Sequence, residues 1–287
     1  MVHSPNFVDN FVCRANKTWQ YALSLFTLTL FLSACGTNAE AIDTTNIVDY
    51  YAQYHDTQAD TTLKNAQDKI LSVFVQSLMA KNTQSINELE QQITKLKTGK
   101  TKNLATYWHS YLSFYKSIYW LKTKNKDEAN KEIEKGIETI KSLKGKNSED
   151  YALLAMLQSF SIQFKSTLQI VSLSPKIKSN AEAAIKIDKQ NPRAYFVLAS
   201  NDFYTPEQYG GGKEAEKLLL KAIELPAQKT NNPYLPSWGK EEAYEMLIKL
   251  YMKQEKFDLA KKYFAEGIEA YPESYVINQL AAKLVNK

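Results

Sequence analysis

The feature that most constrains the fold is a stretch near the C-terminus, "EEAYEMLIKLYMKQEKFDLAKKYFAEGIEAYPES", residues 241–274. Large apolar residues recur in it at helical spacing, in two blocks joined by a short polar turn. Such blocks make two helices folded back on one another. Ala260 allows the second helix to approach the first closely, Tyr251 and Phe264 fill the space between them, and Pro272 ends the pair. Nine glycines and eight prolines in the 287 residues are few, and they cluster between periodic segments, as helix punctuation does. No alternating strand pattern is convincing, so the expected fold class is all-α.

This stretch resembles a tetratricopeptide repeat. It supplies Tyr244-x₂-Leu247-Ile248-x₂-Tyr251, Ala260-x₃-Phe264 and Pro272, departing from the pattern by Tyr for Trp and by Ile for a small residue. A second copy has Tyr195-x₂-Leu198-Ala199, then Ala215-x₃-Leu219 with Ala222, its turn lengthened by "TPEQYGGG". These best repeats cover residues 192–225 and 241–272. Trp120, Ala129-x₃-Ile133 and Gly136 keep half of the pattern in a pair near 104–143. Pairs near 61–96 and 149–188 rest on periodicity and length alone, and "SYVINQLAAKLVNK" reads as a solitary capping helix. The resemblance implies an α-solenoid of antiparallel helix pairs, TPR-like, with a C-terminal capping helix, in a domain of residues 59–287.

The N-terminus carries a second signal. Arg14 and Lys17 precede the uncharged run 18–39, whose apolar heart "YALSLFTLTLFL" has the length of a signal h-region. The run closes on Leu32-Ser33-Ala34-Cys35-Gly36, which resembles the lipobox of bacterial lipoproteins. The resemblance implies a signal peptide of residues 1–34, lipidation of Cys35, and a membrane anchor that does not span the bilayer. Residues 35–58, opening "CGTNAEAIDTT", read as a tether. The leader before Arg14 is longer and more apolar than usual. Gly36 stands where an inner-membrane retention signal would carry Asp, which favours the outer membrane, periplasmic face.

Cys13 and Cys35 are the only cysteines, so the processed domain has no thiol for a disulfide, a zinc site or a nucleophile. Removing the signal takes the formal charge from +5 to about +4, too mild an excess to argue for nucleic acid. No cofactor and no metal site are expected. His55 and His109 are the histidines left after processing, with no HExxH pair. Ser113-x-x-Lys116 and Lys97-Thr98-Gly99 stand in reversed order for a serine β-lactamase signature, with no Ser-Asp-Asn between them. An enzyme is therefore not expected.

Four stretches invite a ligand. "YGGGKEAEKLLLKAIEL" places glycines and Lys213 before a helix, but Glu214 follows the lysine where a Walker loop needs Ser or Thr. It reads as an inter-helix turn, with an anion on the glycine backbone as the alternative. The insertion "PAQKTNNPYLPSWGKEEAY" is either a functional loop or a means of seating Trp238 between neighbouring repeats. Tyr107, Tyr111, Tyr115 and Tyr119, joined by Trp108, Phe114 and Trp120, either fill inter-helix space or form a recognition platform. With seven aromatics around one helix, some are expected to face outward. The basic run "KLKTGKTK" reads as a solvated loop, or as a contact for anionic headgroups.

The expected function is a non-catalytic, lipid-anchored adaptor that holds a protein partner in the bacterial envelope. The resemblance puts first helices on a concave binding face, giving Tyr111, Tyr115, Phe196, Ser200, Glu245, Lys249 and Met252 as candidate partner contacts. The alternative is a solute-binding component of a periplasmic uptake system, with the aromatic helix and the Trp238 insertion enclosing a small ligand.

Overall fold

A computed structural model describes residues 61–226 and 232–285. Residues 1–60, on which the expected signal peptide, the expected lipidation site Cys35, the expected tether and His55 fall, lie outside the described residues. The described chain is all-helical, with no strand among the described residues. Ten helices form five consecutive pairs: α1 (Ala66–Ala80) with α2 (Gln84–Lys95), α3 (Lys102–Lys122) with α4 (Lys126–Lys141), and α5 (Ser148–Ser161) with α6 (Thr167–Ile187). Then follow α7 (Pro192–Tyr204) with α8 (Ala215–Glu224), and α9 (Lys240–Lys253) with α10 (Phe257–Ala270). Each pair packs together, and each even-numbered helix also packs on the next odd-numbered one.

The local signals explain the boundaries. Asn147 and Asp150 form a reciprocal cap at the start of α5, with Asp150 N–H donating to Asn147 Oδ1 at 3.0 Å and Asn147 N–H to Asp150 Oδ2 at 3.0 Å. Asn125 caps α4 and Asn191 caps α7, where Pro192 occupies the first helical position. On the second helices of three pairs small residues are fully buried: Ala129, Ala215, Ala222 and Ala260.

Three sequence expectations need correction. Gly267 lies inside a helix, as does Gly136, which the partial repeat already places in the second helix of its pair; a neighbouring helix runs against each. A Cβ at Gly136 would sit 3.0 Å from Ser113 Cβ and 3.2 Å from the Ser110 carbonyl oxygen. Pro175 lies inside α6, in a half of that helix whose Leu168 and Val171 are exposed, so the Val171 carbonyl that loses its partner can turn to water. The expected single capping helix is two short ones, α11 (Tyr275–Asn278) and α12 (Ala281–Leu284). A tighter turn, with Leu280 N–H donating to the Ile277 oxygen at 2.9 Å, keeps Ile277, Leu280 and Leu284 buried together.

Gly136→Leu is expected to separate α3 from α4, since four added carbon atoms would meet the α3 backbone. We expect a loss of about 3 kcal/mol, read as a lower urea midpoint, whereas Gly136→Ala costs much less.

Candidate functional site

The insertion before α9 is a strap. Asn65 N–H, at the start of α1, donates to the Pro233 oxygen at 2.7 Å, and Ser237 N–H donates to Gln67 Oε1 at 2.8 Å. Trp238 Nε1 donates to the Tyr107 hydroxyl on α3 at 3.0 Å. Residues 232–239 thus fasten the fifth pair to the first and second. Trp238 is 1% exposed and seated in the core, the packing role of the two weighed for this insertion.

Arg193 anchors the strap. It is 1% exposed, and its Nε and Nη2 reach the two carboxylate oxygens of Glu149 on α5 at 2.5 and 2.6 Å. Nη1 donates to the Pro236 and Trp238 oxygens at 3.2 and 3.0 Å, and the guanidinium lies 5.7 Å from the centre of the Trp238 ring. Gly239 is required here: its φ is +106°, and a Cβ would come within 2.6 Å of Arg193 Cγ. The sequence reading missed Arg193 and Glu149. A signal was available, because Arg14 and Arg193 are the only arginines in a chain otherwise supplied with lysine. A flat fork that satisfies a carboxylate and two carbonyls at once is what lysine cannot offer.

The aromatic helix α3 does not present a platform. Tyr107, Trp108, Tyr111, Phe114, Tyr115 and Tyr119 are all buried, and Trp120 is half-buried. The expectation that some face outward is overturned because α1, α2, α4 and α5 all pack on this helix. Tyr111 and Tyr115 bring their hydroxyls within 3.4 Å of each other, and both rings meet neighbours edge to face.

The remaining candidate contacts divide. Phe196 and Ser200 on α7 and Glu245 on α9 are buried, while Lys249 and Met252 are half-buried. Interior odd-numbered helices have neighbours on both sides as well as a pair partner, which leaves little of them at the surface. Five of the seven candidates are therefore buried in the fold. Burial pushes the Glu245 carboxyl up to about 7 against the pull of Lys249, which hydrogen-bonds it, with Glu242 and Glu241 adding to the rise.

A carboxyl raised in this way binds a proton in the folded chain that the unfolded chain has released. Its contribution falls as the pH rises from the ordinary carboxylate range to 7, and the cost is complete above that. Glu245→Gln is therefore expected to stabilise the protein by about 1–2 kcal/mol at about pH 8 and to change little at about pH 4. Urea unfolding of the two chains at both pH values checks this.

Between α2, α3 and α4 lies an ionic network. Lys116, buried, reaches Glu90 at 2.8 Å and Glu132 at 3.0 Å; Lys135 pairs with Glu90; His109 Nε2 is 3.5 Å from Glu90. Burial, then Lys97, push His109 down to about 4 against the pull of Glu90, so its imidazole is neutral at physiological pH. Burial would lower Lys116 as well, but its two carboxylate partners override this and hold it above the usual lysine value. The arrangement ties three helices together. Among the described residues no group of three or more His, Cys, Asp or Glu is placed to hold a metal ion.

The glycine loop is a turn. Asp202 Oδ2 accepts from the Glu214 and Ala215 N–H groups at 2.9 and 2.8 Å, taking the amides at the start of α8 that an anion would use. Gly212 N–H donates to the Asp202 oxygen, and Gly211 N–H to the Pro206 oxygen. Both the donors and the charge of Asp202 exclude a phosphate cradle here.

No family model and no curated protein matches this chain. Among solved structures, the HusA haemophore from Porphyromonas gingivalis matches with a TM-score of 0.49 and 21% identity, over 69% of this chain and 94% of that one. A likeness this distant carries no argument about fold or function. Among the described residues no helix is long and apolar enough to cross a membrane.

Proposed function

We propose that the chain is a TPR-like α-solenoid, anchored through a lipidated Cys35 at the periplasmic face of an outer membrane, that acts as a non-catalytic adaptor for a protein partner. The observation that carries this reading is the layer of odd-numbered helices, in which α1, α3, α5, α7 and α9 each pack on the next. Small residues lie where paired helices cross, at Ala129 and Gly136, at Ala215 and Ala222, and at Ala260 and Gly267, as the repeat pattern requires. A stack of pairs braced by a strap loses little freedom on binding, so its contacts convert to affinity efficiently.

Lys249 and Met252, the two candidate contacts with accessible surface, are where a partner is sought. A photo-crosslinking amino acid at position 252, in the full-length chain in cells, is expected to capture one envelope protein repeatedly. Crosslinks to no protein, with a small molecule co-purifying at one copy per chain, would overturn the adaptor in favour of the solute-binding reading. The anchor is tested separately: Cys35→Ala is expected to release the chain from membranes under a high-salt wash.

A further inference from the structure

The strap and the helix caps also fix which loops share an edge. Arg193 at the start of α7 grips Glu149 at the start of α5, and Asn191 Nδ2 donates to Ser148 Oγ at 2.8 Å. Ser148 Oγ in turn donates to the Ala184 oxygen near the end of α6 at 2.9 Å. Gln67 near the start of α1 holds Ser237, and Tyr107 in the first turns of α3 holds Trp238, next to the start of α9. The N-terminal ends of the five odd-numbered helices therefore lie along one edge. The loops that lead into α3, α5 and α7 lie there too.

Those three loops read "KLKTGKTK" (95–102), "KSLKGKN" (141–147) and "KIDKQN" (186–191). With the helix ends that flank them they carry nine lysines, of which Lys141 is paired with Glu138 at 2.7 Å, and a single acid, Asp188, whose Oδ1 accepts from Gln190 N–H at 2.8 Å. Seven of the nine lysines are exposed and two are half-buried. On the opposite edge, counted with the residues that end and begin the flanking helices, the loops within pairs carry Lys81, Lys122, Lys124, Lys126, Lys165, Lys213, Lys253 and Lys256 with three acids, Glu207, Glu214 and Glu255. The strip at the N-terminal ends is therefore the more one-sidedly cationic of the two, with one acid among its lysines.

We propose that this lysine edge lies against an anionic lipid surface and sets the orientation of the fold on the membrane. Three observations favour a bilayer over an acidic protein. The charges are spread over three successive loops and not gathered into a pocket. All are lysines, hydrated point charges suited to a diffuse layer of headgroups and lacking the fork that selects single carboxylates. The chain also enters α1 at this edge, where Asn65 N–H meets the Pro233 oxygen, so residues 36–60 connect Cys35 to the face that carries the lysines. The inference rests on the anchored reading and adds to it an orientation that the anchor alone does not supply.

The test uses full-length chain purified from membranes and reconstituted into vesicles of phosphatidylcholine, or of equal parts phosphatidylcholine and phosphatidylglycerol. Lysine amines are labelled chemically and read by mass spectrometry. In the anionic vesicles, labelling of Lys95, Lys144 and Lys189 is expected to fall about fivefold relative to neutral vesicles, and high salt is expected to restore it. Lys81, Lys124 and Lys213 should label equally in both. A chain carrying Lys95→Glu, Lys144→Glu and Lys189→Glu should lose the lipid dependence while keeping its helical circular dichroism.

Equal labelling of the edge in both lipids overturns the inference. So does protection seen in native membranes but not in anionic vesicles, which would assign the edge to an acidic protein. If the chain leaves the neutral vesicles, the anchored reading fails on its own account. Retention by the phosphatidylglycerol-containing vesicles alone, read by sedimentation, then supports the edge, and release from both kinds overturns it.

Discussion

Arg193→Ala is expected to be among the most damaging single changes in the described fold, lowering its stability by about 3–5 kcal/mol. The substitution removes four hydrogen bonds at one stroke. It leaves the Glu149 carboxylate, with a side chain 4% exposed, charged and without its bidentate partner. A buried charge deprived of its partner costs more than the pair contributes while intact. The double change Arg193→Met with Glu149→Leu should therefore be milder than Arg193→Ala alone, although the Pro236 and Trp238 oxygens still lose their donor. Arg193→Lys is not conservative here, because one ammonium cannot span both carboxylate oxygens and two carbonyls. Thermal unfolding checks all of these, with Arg193→Ala lowering Tm by about 10 °C.

Trp238→Ala should cost about 3–5 kcal/mol, the range for emptying a core site of an aromatic this large. Its signature is the place where the loss is felt. Without the indole, the strap loses the bond to Tyr107 and its packing against Arg193, and its grip on α1 through Asn65 and Gln67 weakens. Amide exchange should accelerate at residues 65–70, far away in sequence, as well as at 232–239. Exchange that rose only near the substitution would sink the idea that the strap braces the first pair. Trp238→Phe keeps most of the volume and loses the indole N–H, so a cost of about 1 kcal/mol is expected.

Much of the helical order was legible because helix signals are local. The expected pairs near 61–96, 104–143 and 149–188 correspond to α1–α2, α3–α4 and α5–α6, and the two best repeats correspond to α7–α8 and α9–α10. Periodicity, capping residues and short turns act within a few residues of one another, and a single sequence displays them. The aromatic helix shows where that legibility ends. Its composition says that it is rich in rings, while the number of helices packed around it decides whether any ring reaches solvent, and that number belongs to the whole assembly.

Five of the seven candidate contacts are buried for the same reason. Placing first helices on an open face leaves out their packing on each other, which buries Phe196, Ser200 and Glu245 as it buries Tyr111 and Tyr115. The strap was visible only as a length of proline-rich chain with a tryptophan in it. Its partners lie up to 170 positions away in sequence, at Gln67, and no local pattern marks them.

By itself, then, the sequence determined the helices, their pairing, and the chemistry of the turn at Gly210–Gly212, because caps, periodicity and glycine geometry are properties of neighbouring residues. Only the tertiary structure decided that Arg193 and Trp238 join four of the pairs, that the tyrosines are core, and that three separate lysine loops share one edge. Those outcomes depend on which distant residues meet, and that is set by the summed packing of the whole chain.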